Sequence, residues 1–190
     1  LFDYYVFDKV FAWLSNRNKS GLGYIKVSLN ISPLHLNNPS LFFEYILKLH
    51  KKYAVPAKFI SFELSESSYM QKKETVAHFI KELHEMGFKI SLDDFKSSYS
   101  SLKTLENTPF DEIKINHGFA SGEISFSDKM ILKSVINMIK EMDKIVVCQG
   151  IENKAQIDFL KNENCDFIQG FYYSKPMPIE SFDKFCKKLA

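Results

Sequence analysis

Arginine is almost missing from this chain. Of 25 basic residues in 190, only Arg17 is an arginine; the rest are lysines. A bidentate clamp on phosphate needs the planar guanidinium fork, so recognition built on several such clamps is excluded. Excess charge of either sign is also missing. The net charge of +2 supplies no field that would draw a nucleic acid polymer or an anionic membrane surface. Cysteine is scarce, and Cys148, Cys165 and Cys186 show no paired metal spacing. A low, odd count fits reduced thiols in a cytoplasm, which is the expected location. No signal peptide is visible, and no apolar run approaches the ~18 residues that suggest a membrane helix.

What is present alternates. Residues 4–15 place Val6, Val10, Phe11 and Leu14 at helical spacing. Residues 24–31 then alternate, with Ile25, Val27 and Leu29 opposite Lys26, Ser28 and Asn30. Asn38-Pro39 opens a helix running to about Tyr53. Residues 59–64 are a second strand, and a helix over 72–86 stops at Gly87. Lys89-Ile90-Ser91-Leu92-Asp93-Asp94-Phe95 is a third strand, followed by a Ser-rich loop and a short helical piece at 102–106. Strands are predicted over 112–116, 145–150 and 167–173, separated by helices over 127–142 and 153–161. A terminal helix begins near Glu180. The Phe-rich positions Phe42, Phe43 and Phe79 read as core, and the five histidines as packing or surface residues.

Six strand–helix alternations predict a parallel sheet with crossover helices in one domain, 1–190. The strands of a doubly wound sheet are apolar on both faces. These have one aliphatic face and one small or polar face, which suits a barrel, with Ser28, Ser61 and Ser91 in the lumen and Ile25, Ile60, Ile90 and Ile113 toward the helices. A (β/α)₈ barrel has eight units in about 250 residues, so the fold class is a TIM-type (β/α) barrel lacking its first two strands. Such a sheet leaves two edges. A second copy pairing on them, or the N-terminal helix around Phe11 and Trp13 covering the gap, are the expected solutions.

The last lumen-facing residue of each strand is polar: Asn30, Glu63, Asp93, Lys114 with Asn116, Gln149 and Gln169. All six positions lie at the C-terminal mouth, where barrel enzymes keep their sites. Asn30, Glu63 and Asp93 offer hard oxygen ligands with no His or Cys among them, which suits magnesium, manganese or calcium rather than zinc. Taken alone, Asp93-Asp94 also reads as a solvated strand end with Asp94 capping the next turn.

Together these motifs resemble the EAL domain, a barrel that binds and hydrolyses cyclic di-GMP, from residue 1 to about 178. Asn30 in Ser28-Leu29-Asn30-Ile31-Ser32 is similar to the family's ligand Asn. Glu63 and Glu66 in Glu63-Leu64-Ser65-Glu66 resemble its metal-binding Glu and the Glu that braces the next loop. Asp93-Asp94-Phe95 followed by Tyr99-Ser100-Ser101-Leu102 resembles its Asp-Asp-Phe-Gly loop, Lys114-Ile115-Asn116 its catalytic-lysine motif, and Gln169-Gly170-Phe171 its closing strand. The resemblance implies metal ligands at Asn30, Glu63, Asp93 and Asp94, catalytic positions at Lys114, Glu66 and Gln149, and substrate contacts at Gln169, Asn116 and Tyr172. It implies magnesium or manganese, if any; an ion-free site is the other outcome.

The departures matter as much. Glu-Ala-Leu does not occur in these residues, and its expected place is on strands before residue 1. Lys96 replaces the loop Gly, Asn116 replaces an Asp, and Gln149 replaces a Glu. The last two keep shape while removing charge and proton acceptors. The expected function is therefore a degenerate cyclic di-GMP signalling domain, binding ligand or partners such as a second copy or other domains of a larger protein. The alternative is an active phosphodiesterase yielding linear pGpG. A Schiff-base enzyme using Lys114 is disfavoured, because an ammonium among carboxylates stays charged.

Overall fold

A computed structural model describes residues 2–96, 105, 108–116 and 125–189. The Tyr99–Leu102 motif, most of the helical piece at 102–106 and His117 lie outside the described residues; Leu105 is buried and helical.

The described elements alternate as the pattern requires. Helix α1 (Phe2–Lys19) leads to β1 (Val27–Asn30), a 3₁₀ turn (Pro33–Asn37), α2 (Pro39–Tyr53), a second 3₁₀ turn (Ala57–Phe59) and β2 (Ile60–Ser65). Then come α3 (Glu66–Gln71), α4 (Lys73–Glu85), β3 (Lys89–Phe95), β4 (Glu112–Ile115), α5 (Phe126–Glu141), β5 (Ile145–Cys148), α6 (Lys154–Asn162), β6 (Phe167–Ile168) and α7 (Ile179–Leu189). The six strands form one parallel sheet in sequence order. It curls into a half-barrel. Lys26 lies 5.6 Å above the Phe167 ring, so the bases of the two edge regions approach each other without pairing.

Each strand turns its aliphatic face outward to the helices. Ile60, Phe62, Leu64, Ile90, Leu92, Ile113, Ile115, Val146 and Cys148 are all buried. Edge-to-face phenylalanines knit this layer together. Phe42 of α2 meets Phe7 of α1 at 6.0 Å and Phe62 of β2 at 5.5 Å, and Phe62 meets Phe88 at 5.3 Å. Phe79 joins the same cluster, while Phe43 is half-buried at its rim.

Several local details depart from the sequence reading. The buried stripe of α1 is Phe7, Phe11 and Leu14, with Val6 and Val10 only flanking it. Phe11 therefore points into the core and does not cover the gap; Trp13 does line it. Ile25 precedes β1 and borders the same groove. Helix α3 is not signalled by Ser-Glu-Ser-Ser, whose composition is loop-like; Ser65 starts it by accepting from the Ser68 N–H. Asn38 makes no side-chain cap on α2. The last strand is far shorter than 167–173, since the chain turns after Ile168. Gly87 does end α4: its N–H donates to His84 and that of Phe88 to Leu83, a Schellman closure needing φ +84°.

Candidate active site at the strand ends

The lumen is built in polar tiers. On the lower tier Ser61 hydrogen-bonds Ser91 at 3.0 Å, and Ser91 donates to Glu112 Oε2 at 2.7 Å. Because the Ser91 proton goes to Glu112, Ser61 must be the donor to Ser91. Glu112 is nine-tenths buried, a role the sequence did not flag; its signal was an acid two residues before Lys114, on the same face of β4. Above it lies the central contact of the site, an ion pair between Lys114 Nζ and Glu63 Oε1, with side chains 5% and 7% exposed. Two buried charges tolerate such a position only when paired.

The next tier is set by a kink. Register between β3 and β4 shifts between Leu92 and Phe95, and Asp94 takes a left-handed φ of +60°. A bulge of this kind re-aims side chains at the end of a strand. Asp93 is half-buried, while Asp94 turns to the surface and accepts from Asn116 Nδ2 at 2.9 Å. Glu66, first residue of α3, accepts from the backbone N–H of Lys96 at 3.3 Å, tying α3 to the chain leaving β3. Asn30 is exposed and pairs in register with Glu63, whose carbonyl accepts from the Ile31 N–H at 2.9 Å.

The far side of the mouth belongs to two glutamines just past their strands. The Gln149 N–H donates to Ile115 and the Gln169 N–H to Cys148, at 3.0 and 2.8 Å. Gly170 follows because nothing larger fits: a Cβ there would stand 2.0 Å from the Ile151 carbonyl oxygen. That approach lets the Tyr172 N–H reach the same carbonyl at 3.0 Å, leaving the Tyr172 ring half-exposed at the rim. A capping box opens α6. The Asn153 side chain accepts from the Gln156 N–H, and Gln156 returns to the N–H groups of Asn153 and Glu152. A cavity of about 390 Å³ opens beside Glu152, Gln169 and Gly170, with Phe182 of α7 in its wall.

At the opposite, N-terminal end, Asp111 accepts from Lys89 at 2.6 Å, His84 at 2.8 Å and the Ile90 N–H at 3.0 Å. Burial pushes its carboxyl up, but these donors outweigh burial and hold it below the ordinary carboxylate value.

Thus the structure brings Glu63 to Lys114, Asp94 to Asn116 and Glu66 to the chain after β3. Asn30, Gln149, Gln169 and Tyr172 sit around the same mouth. Among the described residues, no three His, Cys, Asp or Glu side chains gather closely enough to share a metal ion. The expected meeting of Asn30, Glu63 and Asp93 competes directly with Lys114, whose ammonium already engages Glu63.

The EAL domain family model matches residues 1–176. Signaling protein YkoW of Bacillus subtilis is 32% identical over 165 residues, 86% of this chain but 20% of that protein. Cyclic di-GMP phosphodiesterase NbdA of Pseudomonas aeruginosa is 28% identical over 175 residues, 92% of this chain and 22% of that protein. The chain therefore spans about a fifth of the length of these relatives. Among solved structures, the EAL domain of Mycobacterium smegmatis DcpA superposes with a TM-score of 0.85 at 27% identity, covering 95% of this chain and 82% of that one. The phosphodiesterase PaMucR, solved as a c-di-GMP complex, gives 0.83 at 26% identity, covering 94% and 72%. With the parallel half-barrel, the polar mouth and a family match over nearly its whole length, this chain belongs to the EAL domain family.

Proposed function

We propose that this chain is a cyclic di-GMP-binding EAL domain with weak or no hydrolytic activity, serving as a receptor or interaction module in signalling. The observation that carries the reading is the buried Lys114–Glu63 pair, combined with neutral Asn116 and Gln149 where the family resemblance calls for Asp and Glu. Glu63 spends its charge on Lys114. Asn116 and Gln149 add none, and neither can take a proton from an attacking water.

Asn30, Glu63, Asp93 and Asp94 carry hard oxygens that suit magnesium or manganese in donor type. As placed, however, Glu63, Asp93 and Asp94 do not gather around one point, so a cation would need Glu63 to leave Lys114 and the carboxylates to close on it. When bound, such an ion supplies an acidified water and a clamp on the displaced oxygens. The charge balance supports one cation and disfavours two, because Lys114 remains among the carboxylates. The chain's own groups keep binding functions: Gln169 and Asn116 carry amide donors, Tyr172 offers a stacking face, and Glu66 fixes the backbone at Lys96. The printed names of NbdA and of the PaMucR complex support cyclic di-GMP as the ligand.

The second reading is an active magnesium- or manganese-dependent phosphodiesterase producing pGpG. It is favoured by the survival of Asn30, Glu63, Asp93 and Lys114 and by relatives named as such enzymes.

Calorimetric titration of the 190-residue chain with cyclic di-GMP tests the binding claim. Saturable binding should persist in chelator, and Gln169→Ala should weaken it by about tenfold, the worth of a hydrogen bond or two. No saturable binding with or without manganese would reject the receptor reading.

A further inference from the structure

The family match ends at residue 176, and α7 lies beyond it. This helix is attached in an unusual way. Its apolar side carries Phe182, Phe185 and Cys186, yet none of these is fully buried. Elsewhere in the fold, α1, α2, α4, α5 and α6 each bury at least three side chains.

What α7 does have is a polar pin. Asp183 accepts from the Trp13 indole N–H through Oδ2 at 3.0 Å and from Arg17 Nη1 through Oδ1. Phe182 stacks edge-on against Trp13 at 5.9 Å. The chain's only tryptophan and only arginine, one turn apart on α1, both converge on one carboxylate. Arg17 is 8% exposed and, among the described residues, its buried Nε has no hydrogen-bond partner and Asp183 is the one counter-charge in direct contact.

Position gives the pin its consequence. Phe182 lines two spaces at once. One is the groove of about 320 Å³ that also holds Trp13, Ile25 and Val27, beside β1. The other is the mouth cavity beside Glu152, Gln169 and Gly170.

We propose that α7 is a detachable strap: docked, it closes one wall of the mouth cavity and covers the groove beside β1; released, it opens both without unfolding the barrel. Elements held by few buried contacts open at lower free energy than the strands they rest on. A pin made of two charge-assisted hydrogen bonds is lost as a unit when one carboxylate is removed. It follows that a ligand filling the mouth cavity against Phe182 favours the docked strap, and the docked strap favours the ligand. This coupling rests on the cyclic di-GMP reading; the strap itself does not.

Amide hydrogen exchange of the whole 190-residue chain, without ligand, is the test. In the unmodified protein, amides of residues 180–188 should exchange at least about tenfold faster than those of β2–β4, through an opening the sheet does not share. Asp183→Asn should speed α7 exchange by about tenfold or more, red-shift Trp13 emission, and leave β2–β4 exchange unchanged. Trp13→Phe, which keeps the stack but loses the indole donor, should give a smaller acceleration in the same amides. If α7 and the strands exchange together in the unmodified protein, the helix is part of the cooperative fold and the strap is overturned, whether or not the variants fold. Cyclic di-GMP is then added. Slower α7 exchange supports the coupling, and saturable binding with unchanged α7 exchange rejects it. Failure to bind at all counts against the cyclic di-GMP reading, leaving the strap to the ligand-free result.

Discussion

The β2–β4 wall and the β6–α7 side of this half-barrel follow opposite rules. In β2–β4 the lumen face is polar but largely buried. Ser91, Glu112, Glu63 and Lys114 are all at least nine-tenths buried and are joined by hydrogen bonds or charge. In β6 the strand lasts two residues, Phe167 is half-exposed, and Phe171, Tyr172 and Tyr173 stand in the open. One wall fixes charges in place; the other offers surface. A site divided this way suits holding a ligand against a rigid floor with an adaptable rim.

The comparison breaks most sharply at Glu63. Glu63→Ala leaves Lys114 buried without its counter-charge and should cost about 3–5 kcal/mol in denaturant unfolding. Replacing both residues by leucine should recover most of that loss. A single-variant cost below about 1 kcal/mol would mean that the wall is wet and the pair unimportant. Gly170→Ala comes next. Its new methyl meets the Ile151 backbone, which cannot rotate away as a side chain would, and overpacking of this kind costs about 1–3 kcal/mol. The strain is local to the rim, so ligand binding should suffer more than the unfolding midpoint.

Acid tests the base of the rigid wall. The Asp111 carboxyl is held below its ordinary value by Lys89, Ile90 and His84. Its contribution is thus full above the unfolded-state pKa near 3.8 and disappears as pH falls through the lowered folded value. Asp111→Asn should remove that part of the acid slope in thermal melts between pH 5 and pH 2, about the span of carboxylate titration; an unchanged slope contradicts the assignment. The smallest effect is expected at Phe167→Ala. It loses a half-exposed ring and a surface cation–π contact and should cost under about 1 kcal/mol.

Legibility in the sequence followed the same divide. The two-residue period of Ile60-Ser61-Phe62-Glu63-Leu64 and of Ile90-Ser91-Leu92 requires burial on one face, so these strands and their lumen residues could be read directly. The parallel order followed from alternation with helices. Residue 94 could not be read so: its left-handed turn depends on the register slip against β4, a tertiary event that no local propensity encodes. The length of β6 was overread because Phe-Ile-Gln-Gly-Phe-Tyr-Tyr is all strand-forming, while the contact of Gly170 with Ile151 bends the chain away. The Lys114–Glu63 pair joins residues 51 apart in sequence. Their strand-end positions place both at the mouth, but their pairing, which competes with the expected convergence of Glu63 with Asn30 and Asp93, appears only in three dimensions. His35 shows the same limit. Its burial agrees with the packing reading, but its partner is set in three dimensions: it lies against Asp3, which also accepts from the Ser32 N–H.

Binding without turnover is the central claim, and one experiment addresses both halves. The unmodified chain is mixed with cyclic di-GMP and saturating manganese; bound ligand is measured at equilibrium and pGpG is followed over hours. The account predicts saturable binding with pGpG formation near the uncatalysed background, because losing two acid–base or charge elements removes about 10²–10⁴ in rate for each. The Asn116→Asp, Gln149→Glu double variant, run alongside, should bind manganese more tightly. Rapid pGpG production by the unmodified chain would contradict the account and establish the phosphodiesterase reading in its place.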